Sequence, residues 1–229
     1  MYSESDEIEA SEVARRLRVS RRHAVEVMRA GALPARQLGS GLWLTSIGMV
    51  EAYKEYGLRG RGRTLAAASA WGALWELSGE TAFWLPDSTR FRIRAYLSGV
   101  TVDQLVRDVS TRNLMKRYRA VDPRPDRSNL IATGRAAIKE IYPKRRNDGR
   151  LIAAYVRVGS VQVQAELAGM VEDYRGPHVL FENTLPARYR PWTMPSAVIA
   201  ADLARSPSGE DRKDGRKALA QLLDVWRPA

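Results

Sequence analysis

The sequence predicts an α+β protein: a small N-terminal unit of short helices and a hairpin, followed by a larger domain that mixes helices and strands. Three observations predict it. The chain has 229 residues, enough for one large domain or two smaller ones. Hydrophobic residues make up 45%, which supports a buried core and excludes a disordered basic tail. Apolar positions recur at helical spacing in some stretches and run in short alternating blocks in others.

Composition limits the partners. Lys+Arg total 37 against 26 Asp+Glu, a formal charge of +11, which favours a polyanion, either nucleic acid or an anionic membrane. Arginine outnumbers lysine, and its planar fork suits phosphate or guanine. No cysteine is present, so disulfides, thiolate metal sites and cysteine nucleophiles are excluded. The opening "MYSESDEIEA" is acidic without an apolar stretch and does not read as a signal peptide. The most apolar run, "TLAAASAWGALWEL", is shorter than the roughly 20 residues of a spanning helix. The expectation is a soluble cytoplasmic protein without a membrane partner.

Residues 1–9 read as an acidic tail, and residues 10–58 as the first folded unit. In "ASEVARRLRVSRRHAVEVMRAGALPARQL", Ser11 is placed to cap a helix ending near Leu17, with Val13, Ala14 and Leu17 as its apolar stripe. A tight connection through Arg18 and Val19 follows. Ser20 then caps a second helix that ends before Gly31. Ala24, Val27 and Met28 recur at helical spacing and face the first helix, while Arg21, Arg22, Val25, Glu26 and Arg29 occupy the opposite face. Two short helices joined by a tight turn, the second basic outside, describe a helix-turn-helix. "LPARQLGSGLWLT" adds a hairpin turning at Gly39-Ser-Gly41. Thr45 is placed to cap a helix that stops at Gly57.

The order of elements in "SEVARRLRVSRRHAVEVMRAGALPARQLGSGLWLT", with its Val-Ser pair, glycine, Leu-Pro-Ala and hairpin, resembles the excisionase and MerR-type winged helix-turn-helix. The resemblance implies that Arg21, Arg22, Val25, Glu26 and Arg29 meet the major groove of double-stranded DNA. It places Ser20 and His23 at phosphates near the helix start, and Arg36, Ser40 and Gly41 in or beside the wing. Glu26 would accept from a cytosine amino group, since phosphates repel it. With His178 the only other histidine, His23 suits a phosphate or cap contact better than a metal, and no metal site or cofactor is expected.

Residues 59–63, "RGRGR", follow the first unit and read first as a hinge. Arg59, Arg61 and Arg63 could also contact the DNA backbone, or enter the minor groove, as arginine-glycine arms do. Residues 64–229 read as an α+β domain, helical at first and mainly β in its second half. Thr64 is placed to cap "LAAASAWGALWELSG". "PDSTRFRIRAYLSG" and "TVDQLVRDVS" read as helices and "NLMKRYRAV" as a strand. "PRPDRSNLIATGRAAIKEIYP" reads as two short helices around Gly134. "RLIAAYVRVGSVQVQAEL", "HVLFENTL" and "SAVIAADLA" read as strands, and "GEDRKDGRKALAQLLDVW" as a closing helix. Trp71 and Trp75, four apart on an apolar helix, read as core; Trp192 is a residue type that anchors interfaces.

Catalytic patterns are weak. Gly159-Ser160 is followed by no paired carboxylates. Asp202 and Asp211-Arg-Lys213 formally match a metal-nuclease spacing, but the second element reads as a helix N-terminus, where acidic residues complement the dipole. No Ser-His-Asp set or phosphate-cradling loop is apparent, and the chain does not read as an enzyme.

"WGALWELSG", "ATGRAAI" and "AADLARSPSGEDRKDGRKALAQLL" resemble actinobacterial helix-turn-helix proteins related to AbiE-type (type IV) antitoxins. That resemblance implies a nucleoid-associated repressor of its own operon, with a nucleotidyltransferase-like toxin as partner. The C-terminal domain would hold that toxin, or pair two subunits as a homodimer. Two alternatives stand beside it: an excisionase-like architectural factor of a mobile element, and a ligand-sensing regulator.

Overall fold

The computed structural model describes residues 7–56, 64–113, 115–122, 124–145 and 149–227. It is a mixed α+β protein with two sheets. The first residues described are a strand rather than a tail. Strand β1 (Glu7–Glu9) pairs antiparallel with β3 (Trp43–Ser46), which also pairs with β2 (Arg36–Gln37). Three residues of Glu-Ile-Glu are too short a run for alternation to signal a strand.

Helix α1 (Ala10–Leu17) starts directly after Glu9, so Ser11 lies in its first turn and does not cap it. Its end is defined by Arg18, in the left-handed conformation at φ 54°. The Arg18 N–H donates to Arg15 O and the Val19 N–H to Ala14 O, satisfying carbonyls the helix would otherwise leave open. Ser20 then caps α2 (Arg21–Arg29), its hydroxyl accepting from the His23 N–H at 3.2 Å. Ala24, Val27 and Met28 are buried against α1 and the core. Between β2 and β3 the chain reverses through Gly39-Ser40-Gly41. Leu38 and Gly41 close the turn, and Gly41 takes φ +82°, the left-handed step that lets a three-residue hairpin loop match the strand twist.

Ser46, not Thr45, caps α3 (Ile47–Tyr56), accepting from the Met49 N–H. Thr45 is buried in β3 and donates to Pro34 O at 2.6 Å. The expected stop at Gly57 and the 59–63 hinge lie outside the described residues. α4 (Ala67–Leu77) begins after Ala66 with no side-chain cap, so Thr64 does not cap it. α5 (Asp87–Gly99) packs on α4, and α6 (Val102–Asp108) opens with a capping box from Thr101 and Gln104.

A five-stranded sheet follows, in the order β5-β6-β8-β4-β7. Its strands are β4 (Met115–Ala120), β5 (Leu130–Ala132), β6 (Ala153–Val156), β7 (Met170–Glu172) and β8 (His178–Phe181). β6 and β8 run parallel, and the other neighbours are antiparallel. Around Gly134 there is β5 and then a 3-10 segment (Gly134–Glu140), instead of two helices.

The second half is not mainly β. "VQVQAEL" forms α7 (Val161–Leu167), because Ser160 caps it by accepting from the Val163 N–H. "SAVIAADL" forms α8 (Ser196–Leu203), buried from Ala197 to Leu203. An apolar run of this length fits a central strand or an enclosed helix equally, and periodicity does not separate them. α9 (Gly209–Trp226) closes the described chain. Asp211, Gly215, Leu219 and Leu223 recur every four residues on its buried face. Buried side chains of α1–α6, α8 and α9 form one continuous cluster, in which Trp71 and Trp75 are enclosed and Trp71 stacks edge-on against Tyr155; Ala165 of α7 packs in a second, smaller cluster with Tyr118, Met170 and Leu180.

Candidate nucleic-acid interface

The exposed face of α2 is cationic. Arg21, Arg22, His23, Glu26 and Arg29 are all exposed, while Val25 is half-buried and packs against the core. Burial of Ala24, Val27 and Met28 fixes which way the helix turns, so the arginines must face solvent. Among the described residues, Arg21 and Arg29 have no ion-pair partner. Arg22 donates to Glu26 at 3.0 Å, and His23 Nδ1 lies 3.8 Å from the same carboxylate. Glu26 therefore has a local cation instead of standing alone. The Ser20 hydroxyl already accepts the His23 N–H, leaving its own proton for an outside acceptor.

The cations of α1 are differently placed. Arg15 and Arg16 both donate to Glu12, at 2.7 and 2.8 Å. Arg15's hydrogen bonds hold the Glu12 carboxyl at about 2, far below the usual range. The unbound positive charge is concentrated on the second helix of the pair.

Ser40 and Gly41 sit exposed at the hairpin tip. Arg36 is part of a junction. It donates to Glu7 at 2.9 Å, and Glu7 also accepts from Arg175 Nε at 3.0 Å. The Arg36 hydrogen bonds, and after them Arg175, keep Glu7 ionised below its ordinary range despite burial. Both guanidiniums also lie over the ring of Tyr174. This clasp, which sequence reading missed, ties the three-stranded sheet to the loop between β7 and β8. Beside it runs an open groove of about 610 Å³. Arg29, Arg36 and Trp43 form one side and Lys116, Arg117 and Tyr174 the other. Arg59, Arg61 and Arg63 lie outside the described residues.

The carboxylates tested for metal chemistry are otherwise engaged. Asp202 is buried on α8 and paired with the fully buried Arg112. It accepts from Thr133 at 2.7 Å and from the Tyr155 hydroxyl at 2.9 Å. Burial first, then the Asp202 charge opposing the nearby arginines, leaves that phenol far above its ordinary range. Asp211 pairs with Arg135 at 2.9 Å and lies in the first turn of α9, its N–H donating to the capping Ser208 hydroxyl, while Lys213 faces solvent. Among the described residues, no group of three or more His, Asp or Glu side chains could hold a metal ion, and no helix is long and apolar enough to cross a membrane. No protein-family model, curated protein or solved structure matches this chain.

Proposed function

We propose that this protein is a sequence-specific double-stranded DNA-binding repressor, in which residues 10–58 act as a winged helix-turn-helix and α2 as the major-groove reader. One observation carries the reading: among the described residues, Arg21 and Arg29 have no ion-pair partner and stand on the outer face of a short helix that a tight turn sets against its neighbour. Guanidiniums so placed are available for bidentate contact with guanine or phosphate. The exposed hairpin tip at Ser40 and Gly41 is the wing of this reading, and Arg59, Arg61 and Arg63 add sequence-independent backbone contact.

The remainder serves interaction rather than catalysis, because Asp202 and Asp211 are each spent on a structural ion pair. Exposed Trp192 and Leu167, 84% and 73% accessible, are available to a protein partner. Together with the antitoxin-like sequence resemblance, this supports the reading of a nucleoid-associated autoregulator of a toxin–antitoxin operon. Its partner is either the toxin or a second subunit.

Genome-wide mapping of bound DNA tests the proposal. The expected result is a strong site upstream of the protein's own gene, with a nucleotidyltransferase-like gene alongside. Enrichment at an integrase attachment site would indicate an architectural excisionase, and a complete lack of enriched sites would contradict DNA reading.

A further inference from the structure

The turn that joins α8 to α9 does not close over the five-stranded sheet, and a cavity of about 230 Å³ remains between them. Its floor is the sheet face on which Val179 of β8 and Ala153 of β6 are register neighbours. Both side chains are short, and Gly134 in the wall has none, so residue size itself leaves the space. Leu151, Leu203 and Pro207 complete an apolar lining. The charged groups that reach the cavity already have partners. Asp202 is paired with Arg112 and accepts from Thr133 and Tyr155. Arg205 donates to Asn113 at 2.7 Å and lies 3.9 Å from Asp202. Asp211 pairs with Arg135 at 2.9 Å and accepts from Ser206 at 3.0 Å, and Arg117 is engaged as well. A charged guest would lose its water here without gaining a counter-ion to spare. A neutral apolar guest restores the dispersion contacts that an unfilled lining forfeits.

We propose that this cavity binds a compact neutral molecule built on one apolar ring, seated on Val179 and Ala153 and covered by Leu203 and Pro207. An apolar cavity of roughly 150 Å³ takes a single benzene, so this one takes a ring carrying one or two further heavy atoms. Largely apolar concave sites are where small molecules bind. The site is separate from the proposed DNA-reading face, and its occupancy is measured without DNA.

The test uses the full chain titrated with benzyl alcohol, followed by calorimetry and by the shift in melting temperature. Benzoate and benzylammonium carry the same ring with a negative or a positive charge, and ethanol carries the hydroxyl without the ring. The expected result is saturable binding of benzyl alcohol, at least about tenfold tighter than any of the three controls. Ala153→Leu fills the cavity from its floor and Leu151→Phe from its wall, and each should weaken benzyl alcohol by about tenfold or more. Leu151 is half-buried, so the test survives if Ala153→Leu fails to fold. Absence of saturable binding, equal binding of any control, or full affinity in a folded Leu151→Phe variant would overturn the proposal.

Discussion

Arg18 carries the turn between α1 and α2 in a conformation that glycine adopts freely and other residues adopt at a cost of about 1–2 kcal/mol. Its side chain is exposed, so the cost is a backbone matter. Arg18→Gly should therefore be more stable than Arg18→Ala by about 1 kcal/mol, read from urea midpoints at unchanged slope. Equal midpoints would place the turn elsewhere. His178 offers a pH test. Burial first, then the charges of Arg127 and Arg117, lowers its pKa below 6.5, and its Nδ1 accepts from the Ile152 N–H. The neutral ring is thus favoured in the folded state, and the unfolded chain binds the proton more readily. This contribution is fully present above pH 6.5 and is lost as the pH falls towards the lower folded value. Between pH 7.5 and 5.5 the wild type should lose more stability than His178→Gln; an identical loss in both would remove His178 as the cause.

Among elements, the crossing of α8 and α9 is tightly constrained. A Cβ at Gly215 would lie 2.4 Å from Ala204 N and 2.6 Å from Ala200 O, both backbone atoms that move only with their helix. Gly215→Ala should cost about 3 kcal/mol. Gly99→Ala, at the open end of α5 with nothing within 4 Å, should instead gain about 0.5 kcal/mol. Thermal melts of the two variants check the contrast, and a neutral Gly215→Ala would mean a looser packing of the corner. These elements also mark what the sequence reveals. α2 was legible because Ser20, the 24/27/28 stripe and Gly31 agree on one helix. α9 was legible because its capping serine and four-residue stripe coincide. α8 was not, since alanine and isoleucine buried on every side leave no period to read. α7 was misread because Val161-Gln-Val-Gln alternates like a strand while Ser160 starts a helix. The exposed arginines of α2 followed from its apolar stripe. The Glu7–Arg175 clasp was hidden by a separation of 168 residues.

For the molecule as a whole, that clasp and the continuous core couple the first unit to the rest. Glu7 is nearly buried between two guanidiniums, so Glu7→Gln leaves Arg36 and Arg175 with a weaker acceptor. A loss of about 1 kcal/mol is expected, with faster hydrogen exchange both in β1 and in the loop carrying Arg175. Faster exchange in β1 alone would show that the two parts open separately. The central claim concerns DNA, and it is tested most directly by competition binding of a selected duplex against random duplex at fixed salt. Wild type should prefer the selected site. Arg29→Ala, and separately Arg21→Ala, should lose about 1–3 kcal/mol on that site if each reads a guanine. Arg15→Ala, whose side chain is held by Glu12, should retain the preference. Wild-type discrimination in both α2 variants, or none in the wild type itself, would contradict the account.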